Sequence, residues 1–287
     1  MKIQKNKLHK KFGVKITGFD MKTNTKPEDI LMLKTLLDDH AVCAVPHKKP
    51  LSDSAHIAFS GLLGPVARRS TPKISGTGLR LPYNEIVDQS NLDAQGNIYP
   101  NRDKRLAYKR ANRQWHTDMS YRTNRATWSL LSAHVVPPKG GQTEVADMRA
   151  VYDDLSDKMK LLLEDLTAEH CYWHSRVLGG GPEPTPEERI TRPPARHPLV
   201  HVHPTSGRRV LYVASHIRSI SGMPKNEAID LLNELKQIAI KPEYVLSYNW
   251  TVGDVLIWDN LATMHRGTNF DDQHYIRDMR RVTCREN

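Results

Sequence analysis

Apolar residues at Ile30, Leu31, Leu33, Leu36 and Leu37 recur at helical spacing behind a start signal in TNTKPEDILMLKTLLDDH, which predicts an amphipathic helix. AVCAVPH follows as a short buried strand, and SDSAHIAFSGLLG as a second helix, capped by Ser52 and ended by Gly64. Residues 66–113 lose periodicity and are rich in Gly, Pro, Asn and Arg. Stretches of this length without structure of their own are usually functional, so an active-site lid is expected within 66–113. Helical spacing returns in MRAVYDDLSDKMKLLLEDLTAEH, with a break near Ser156, and GGGPEPTPEERITRPPARHP reads as another Pro/Gly-rich loop. LVHVHPTSGRRVLYVASH alternates on both sides of a Thr-Ser-Gly turn, as a hairpin does, and PKNEAIDLLNELKQIAI is a fourth helix. YVLSYNWTVGDVLIWDNLATMHRGTNF and RDMRRVTCR read as strands joined by turns. Helices cluster early, strands return late, and no repeat is visible. The pattern predicts a mainly β domain over 1–287, a jelly-roll core with helices on its outside.

Composition narrows the function classes. The 287 residues are 38% hydrophobic and 26% charged, with a mean hydropathy of −0.58, as in a soluble globular protein. No apolar run is long enough to span a bilayer, and no apolar signal core follows the basic N-terminus, so the cytoplasm is expected and no membrane partner. Cys43, Cys171 and Cys284 lie far apart and are odd in number, which argues against a disulfide framework or a cysteine zinc site. The net charge is +10 and the pI about 9.5. The basic residues are spread along the chain without interleaved aromatics, so no nucleic-acid partner is expected; the charge suits attraction of small anions. Homo-oligomerisation is left open.

The candidate chemistry starts in QWHTDMSY, Gln114–Tyr121. On a strand, His116 and Asp118 would share one face. His265, on a later strand in GDVLIWDNLATMHRGTNF, could complete a two-histidine, one-carboxylate set that leaves three metal positions open, the non-haem iron arrangement; zinc hydrolases use similar ligands. In the tail strand, Arg277 and Arg281 share a face while Arg280 points the other way. Two inward arginines would each need an anion, such as the far carboxylate of 2-oxoglutarate and an acidic substrate; a solvated basic edge strand is the alternative. His197, His201 and His203 in HPLVHVHP have no acidic neighbour in sequence and read as structural. Trp115, Trp258 and Asp259 read as support for the ligand-bearing strands, and Cys284 as facing away from the pocket.

Several stretches, in order, resemble the taurine dioxygenase and 2,4-dichlorophenoxyacetate dioxygenase family of Fe(II)- and 2-oxoglutarate-dependent oxygenases. They are WHTD at 115–118, VVPPKGGQTEVADMRAVYDDL at 135–155, HPTSGRRVLYV at 203–213, WDNLATMHRG at 258–267 and RDMRRVT at 277–283, with GFD and FSGLLGPV earlier. RANRQWH and LSAHVVPPKGGQTEVADMRAVYDDL resemble the phenoxyacetate branch more than the taurine branch.

The resemblance implies a double-stranded β-helix core, Fe(II) held by His116, Asp118 and His265, and 2-oxoglutarate held by Thr143 and Arg277. It implies Arg281 as anchor of the substrate's acidic group and Asn112, Lys73 and His216 on the substrate side; no catalytic residue beyond the metal ligands is expected. The implied reaction consumes O2, releases succinate and CO2 and hydroxylates a small carboxylic acid such as an aryloxyalkanoate, cleaving the ether where the hydroxylated carbon bears its oxygen. The alternative is desaturation or decarboxylation of an amino-acid-derived acid, such as an isonitrile intermediate, by the same cofactor chemistry. A non-catalytic binding protein and a nucleic-acid oxygenase rank lower. The carboxylate at Asp118 disfavours a halogenase.

Overall fold

The structure is a computed structural model that describes residues 3–68 and 80–286. Two short strands, β1 (Gln4–Lys7) and β2 (Val14–Thr17), lead into helix α1 (Pro27–His40), strand β3 (Val42–Val45) and helix α2 (Asp53–Leu63). Ser52 caps α2 by accepting from the Ala55 N–H. The first third ends with β4 (Ile86–Asp88), α3 (Lys104–Arg110) and a 3₁₀ turn at Ala111–Arg113. The middle holds β5 (Ala126–Val135), β6 (Thr143–Asp147), α4 (Met148–Asp153), α5 (Asp157–Leu163), β7 (Thr167–His170), α6 (Tyr172–Leu178) and α7 (Pro186–Thr191). Then come β8 (Ala195–Pro198), the hairpin β9 (Val200–Val202) and β10 (Arg209–Leu211), β11 (Ile217–Ile220) and α8 (Lys225–Ala239). The last strands are β12 (Val245–Tyr248), β13 (Val255–Asp259), β14 (Thr263–Gly267) and β15 (Asp278–Arg285).

A seven-stranded sheet runs β1-β2-β3-β13-β5-β15-β4, and a three-stranded sheet runs β12-β6-β14. The pleat of the large sheet divides its side chains between two apolar layers. Val42, Ala44, Leu131, Ala133, Leu256, Trp258 and Met279 pack with Val145, Leu246 and Tyr248 of the smaller sheet. The alternate residues Cys43, Val45, Leu130, Val255 and Ile257 pack outward, beneath Leu33 and Leu37 of α1 and Phe59 and Leu63 of α2. Two facing sheets with helices outside are the jelly roll expected from the sequence. A third apolar cluster joins α4 and α8 to β9–β11 and the outer face of the small sheet.

Several expectations change. QWHTDMSY is not a strand: His116 makes one isolated bridge, and a turn begins at Asp118. The helical pattern after Ser156 stops early, and Thr167–His170 pairs with β8 and β11 as β7. The Pro/Gly-rich loop contains α7, started by a reciprocal capping box between Thr185 and Glu188. The stretch 66–113 is not structureless, since its described part holds β4 and α3, with β4 hydrogen-bonded to β15.

Candidate metal centre

Register places the first donors. On β14, His265 pairs with Val145 of β6 and Gly267 with Thr143. Paired residues share a face, so His265 and Thr143 point into the layer that Val145 helps to fill. His116 arrives from another part of the chain and is pinned to His265 by two backbone bonds. Its N–H donates to the His265 carbonyl at 3.0 Å, and the His265 N–H returns one at 2.7 Å. Past Thr117 the chain turns, with Met119 at φ 55°, and the turn carries Asp118 back toward both rings. His116 Nε2 lies 3.8 Å from Asp118 Oδ1 and His265 Nε2 3.7 Å from Oδ2. One ligand atom from each residue falls within 4.8 Å of the others, close enough for a single ion to touch all three.

The protonation states fit a metal. His116 Nδ1 lies 2.7 Å from the Gln114 carbonyl, so Nδ1 carries the proton and Nε2 offers a lone pair. Burial lowers His116 to about 4 and holds His265 well below its usual range, which keeps both rings neutral. Burial alone would raise Asp118; Arg281 foremost, then the two histidines, outweigh it and hold the carboxyl at about 2. Arg281 Nη1 donates to Asp118 Oδ1 at 2.5 Å, and Ser129 Oγ to Oδ2 at 2.6 Å. Asn260 ties this frame together. Its Oδ1 accepts from the Asp118 N–H and Trp258 Nε1, and its Nδ2 donates to Ser129 Oγ. Hydrogen bonds orient His116 and Asp118, and His265 packs on Trp258 with ring centroids 4.5 Å apart, so two neutral imidazoles and one ionised carboxylate suit a divalent metal with open positions.

Arg281 and Thr283 of β15 face this space, Thr283 reaching Ser129 Oγ at 3.3 Å, while Arg280 points outward to Asp53 of α2. The opposite facing of Arg280 and Arg281 follows the alternation read from the tail. Arg281, however, already has an anion within the protein, Asp118, in addition to the external acid expected for it. Arg277 precedes β15, and its Nε donates to the Gly141 carbonyl at 3.0 Å. Among the described residues no carboxylate forms an ion pair with Arg277, and burial, together with Arg113 nearby, lowers it to about 10. Thr143 Oγ1 accepts from Trp250 Nε1 at 3.1 Å. Gln89, Lys109, Asn112, Arg113, Thr268 and Arg277 are among the residues lining a pocket that opens to solvent.

The remaining predicted residues divide. Asn112 sits on the pocket wall, bonded to Gln89 and Arg176. His216 is buried beside His116, ring centroids 6.0 Å apart, with Nδ1 3.1 Å from Ser120 Oγ. Lys73 lies outside the described residues. The ring nitrogens of His197 and His201 reach the Ser120 and Leu261 carbonyls. His203 joins Asp259 at 2.8 Å, with Asp38 close by, and its Nδ1 accepts from the Ser206 N–H, so both ring nitrogens are already bonded. Ser129 and Asn260 escaped the sequence reading. A hydroxyl inside the apolar run TWSLLSAHV was the available signal for Ser129.

The family model described as taurine catabolism dioxygenase TauD, TfdA family matches residues 4–283. The chain belongs to that family. The family resemblance, enzyme class and jelly-roll fold expected from the sequence are thereby borne out. Within the TauD, TfdA family, the chain is 35% identical over 283 residues to the alpha-ketoglutarate-dependent 2,4-dichlorophenoxyacetate dioxygenase of Cupriavidus pinatubonensis (strain JMP 134 / LMG 1197), covering 99% of this chain and 98% of the relative. It is 28% identical over 268 residues to the (S)-phenoxypropionate/alpha-ketoglutarate-dioxygenase of Sphingobium herbicidovorans, covering 91% and 87%. The crystal structure of AAD-2 in complex with Mn(II) and N-oxalylglycine matches with a TM-score of 0.90 and 34% identity, covering 100% of this chain and 98% of that one.

Proposed function

We propose that this TauD, TfdA family member is an Fe(II)- and 2-oxoglutarate-dependent dioxygenase of small carboxylic acids, with aryloxyalkanoates as the leading class. One observation carries the reading: Arg277, a cation without a protein counter-ion among the described residues, lies on the same pocket wall as Asn112 and as Gly267, the end of the strand that brings His265 to the two-histidine, one-carboxylate frame. The relatives act on aryloxy acids by name, which supports the substrate class.

His116, Asp118 and His265 would hold the iron. Bound iron with 2-oxoglutarate and O2 supplies the oxidative decarboxylation to succinate and CO2 that drives insertion of oxygen into a substrate C–H bond. The protein binds and orients. Arg277 has its Nε on Gly141, which leaves the Nη groups for the far carboxylate of 2-oxoglutarate. Thr143 accepts from Trp250, an obligate donor, so its own hydroxyl proton is available to the same carboxylate. Arg281 spends Nη1 on Asp118 and would offer its remaining donors to the substrate acid, linking substrate position to ligand position. Asn112 and His216 would border the substrate, as would Lys73. Where the hydroxylated carbon bears an ether oxygen, the product hemiacetal collapses and the ether is cleaved.

We read residues 1–287 as one catalytic domain with its cover within 66–113; Gln89, Lys109 and Asn112 in the pocket wall support that reading for the described part. No helix among the described residues is long and apolar enough to cross a membrane. The three cysteines are free and buried, which suits the reducing cytoplasm proposed as its compartment.

The test is succinate release under Fe(II), 2-oxoglutarate and O2 across carboxylic acids and their methyl esters, with product analysis. The reading expects aryloxy acids to be turned over and their esters to fail. Equal turnover of acid and ester would remove the anchoring role from Arg281. A desaturated or decarboxylated product would move the chain to the alternative chemistry.

A further inference from the structure

The amide of Asn112 sits between two partners of fixed character. Both Nη atoms of Arg176 lie 3.3 Å from Asn112 Oδ1, and Asn112 Nδ2 donates to Gln89 Oε1 at 2.8 Å. A guanidinium carries donors and no acceptor. Turning the Asn112 amide over would press Nδ2 against the Nη groups, donor on donor. The choice between the two amide orientations is therefore made by Arg176. The consequence extends one residue further. Gln89 Oε1 is occupied by Asn112, so Gln89 Nε2 is left as a donor with no acceptor among the described residues. Gln89 and Asn112 line the pocket with Lys109, Arg110, Arg113 and Arg277; Asp272 of the same lining is taken up by Arg110 and Arg113, which leaves the cations in excess and the wall rich in N–H groups.

Arg176 is built into its place. It lies on α6, with its guanidinium 4.9 Å from the centre of the Tyr172 ring. The helix ends at Gly179, where an added Cβ would come within 2.4 Å of Ala111 Cβ, so α6 closes directly onto the 3₁₀ turn that carries Asn112. No larger residue would allow that approach, and the approach brings Arg176 to the amide oxygen.

We propose that Arg176 is a positioning residue that fixes Asn112 as a hydrogen-bond donor, and that it thereby selects substrates offering an acceptor, such as an ether oxygen, beside their acidic group over isosteres offering an N–H or an ammonium. This rests on the reading above that Asn112 borders the substrate. An aryloxyacetate offers acceptors at both polar positions. An N-aryl glycine of the same shape offers a donor where Asn112 also donates, and an amino acid adds a positive charge to a pocket whose cations, Lys109, Arg110, Arg113 and Arg277, outnumber its one carboxylate among the described residues, Asp272.

The matched pair phenoxyacetate and N-phenylglycine tests it, with kcat/KM for each measured on wild type, Arg176→Met and Arg176→Lys. Wild type should favour the ether by about 10- to 100-fold, the range that a clashing or unmade bond to a buried polar group gives. Arg176→Met frees the amide to turn, and the preference should fall to within about threefold of unity on the same scale. Arg176→Lys keeps a donor-only head and should restore most of the preference, which general loosening of α6 would not do. An unchanged preference in Arg176→Met overturns the proposal, as does failure of Arg176→Lys to restore it. A second measurement needs no turnover: the Asn112 side-chain amide pair, observed by ¹⁵N–¹H NMR and assigned by its loss in Asn112→Asp. It should be slowly exchanging in wild type and averaged in Arg176→Met; an identical signal in both overturns the proposal. If wild type turns over neither acid, the substrate reading fails, and the amide signal still decides the role of Arg176.

Discussion

At the scale of single residues, the frame around Asp118 sets the expectations. His116→Ala, Asp118→Ala and His265→Ala should each abolish substrate-dependent succinate release and lower iron retention; near-normal turnover in any two would sink the assignment. Ser129→Ala removes the 2.6 Å bond to Asp118 Oδ2 and should weaken iron binding roughly 10-fold or more, with the circular dichroism unchanged. Arg277→Met should have opposite effects on two measurements. It removes a poorly solvated charge that no carboxylate pairs with among the described residues, so the metal-free protein should melt at a higher temperature. It also removes a charge-assisted bond worth about 1.5–3 kcal/mol, so the KM for 2-oxoglutarate should rise roughly 10-fold or more. A lower melting temperature would mean that Arg277 has a protein anion partner. His116, Asp118 and His265 were legible because the residue types name the chemistry and the motifs name the family. Ser129 and Asn260 were not, because a serine in a strand becomes a partner of Asp118 only once the register of β5 against β15 is known.

At the scale of elements, loops and short strands carry the site. Gly141 has φ 71°, and a Cβ there would come within 3.3 Å of Arg277 Nε and 2.9 Å of Pro137 Cγ. Gly141→Ala should therefore displace Arg277 and raise the KM for 2-oxoglutarate without changing any charge; an unaltered KM would show that the β5–β6 loop relaxes freely. Arg80 clamps Asp88 of β4 and Asp278 of β15, with bonds of 2.7–3.0 Å. Burial alone would raise Asp88, and Arg80 leads the groups that instead hold it at about 2. A carboxylate depressed in the folded state adds stability above its ordinary value of 3.8 and loses that contribution as pH falls toward about 2. Arg80→Leu should flatten the fall in urea midpoint across that window; an acid limb as steep as wild type would assign it to other carboxylates. The long helices α1, α2 and α8 and the strands β3 and β13 could be read in advance because their periodicity is local. TAEH could not: four residues follow whatever pairs with them, and β8 and β11 pair with them. For α7 the cap signal, threonine followed three places later by glutamate, was present and was masked by the prolines and glycines around it.

At the scale of the whole molecule, the +10 charge and the cation-lined pocket act together. For an anionic substrate kcat/KM should fall as ionic strength rises while kcat stays level, since long-range attraction speeds encounter and leaves the bound state alone. A flat profile would confine the electrostatics to the pocket itself. The jelly roll was visible in the order of elements, and the residue types placed QWHTDMSY beside the strand of His265; the reciprocal backbone bonds that join them were not visible, because main-chain pairing between distant parts of the chain leaves no mark on residue type. The reciprocal pair of bonds between His116 and His265 has a consequence for assembly. Two of the three donors are locked to each other by the main chain, so folding, and not the metal, is expected to build the frame. Iron would then enter last, as cargo loaded into a finished berth. Stripping the protein with a chelator should leave its melting curve cooperative and the amides of His116 and His265 among its slowest to exchange with deuterium. Rapid exchange at both amides after stripping would mean that the metal draws the two segments together, and that the enzyme matures by a different route.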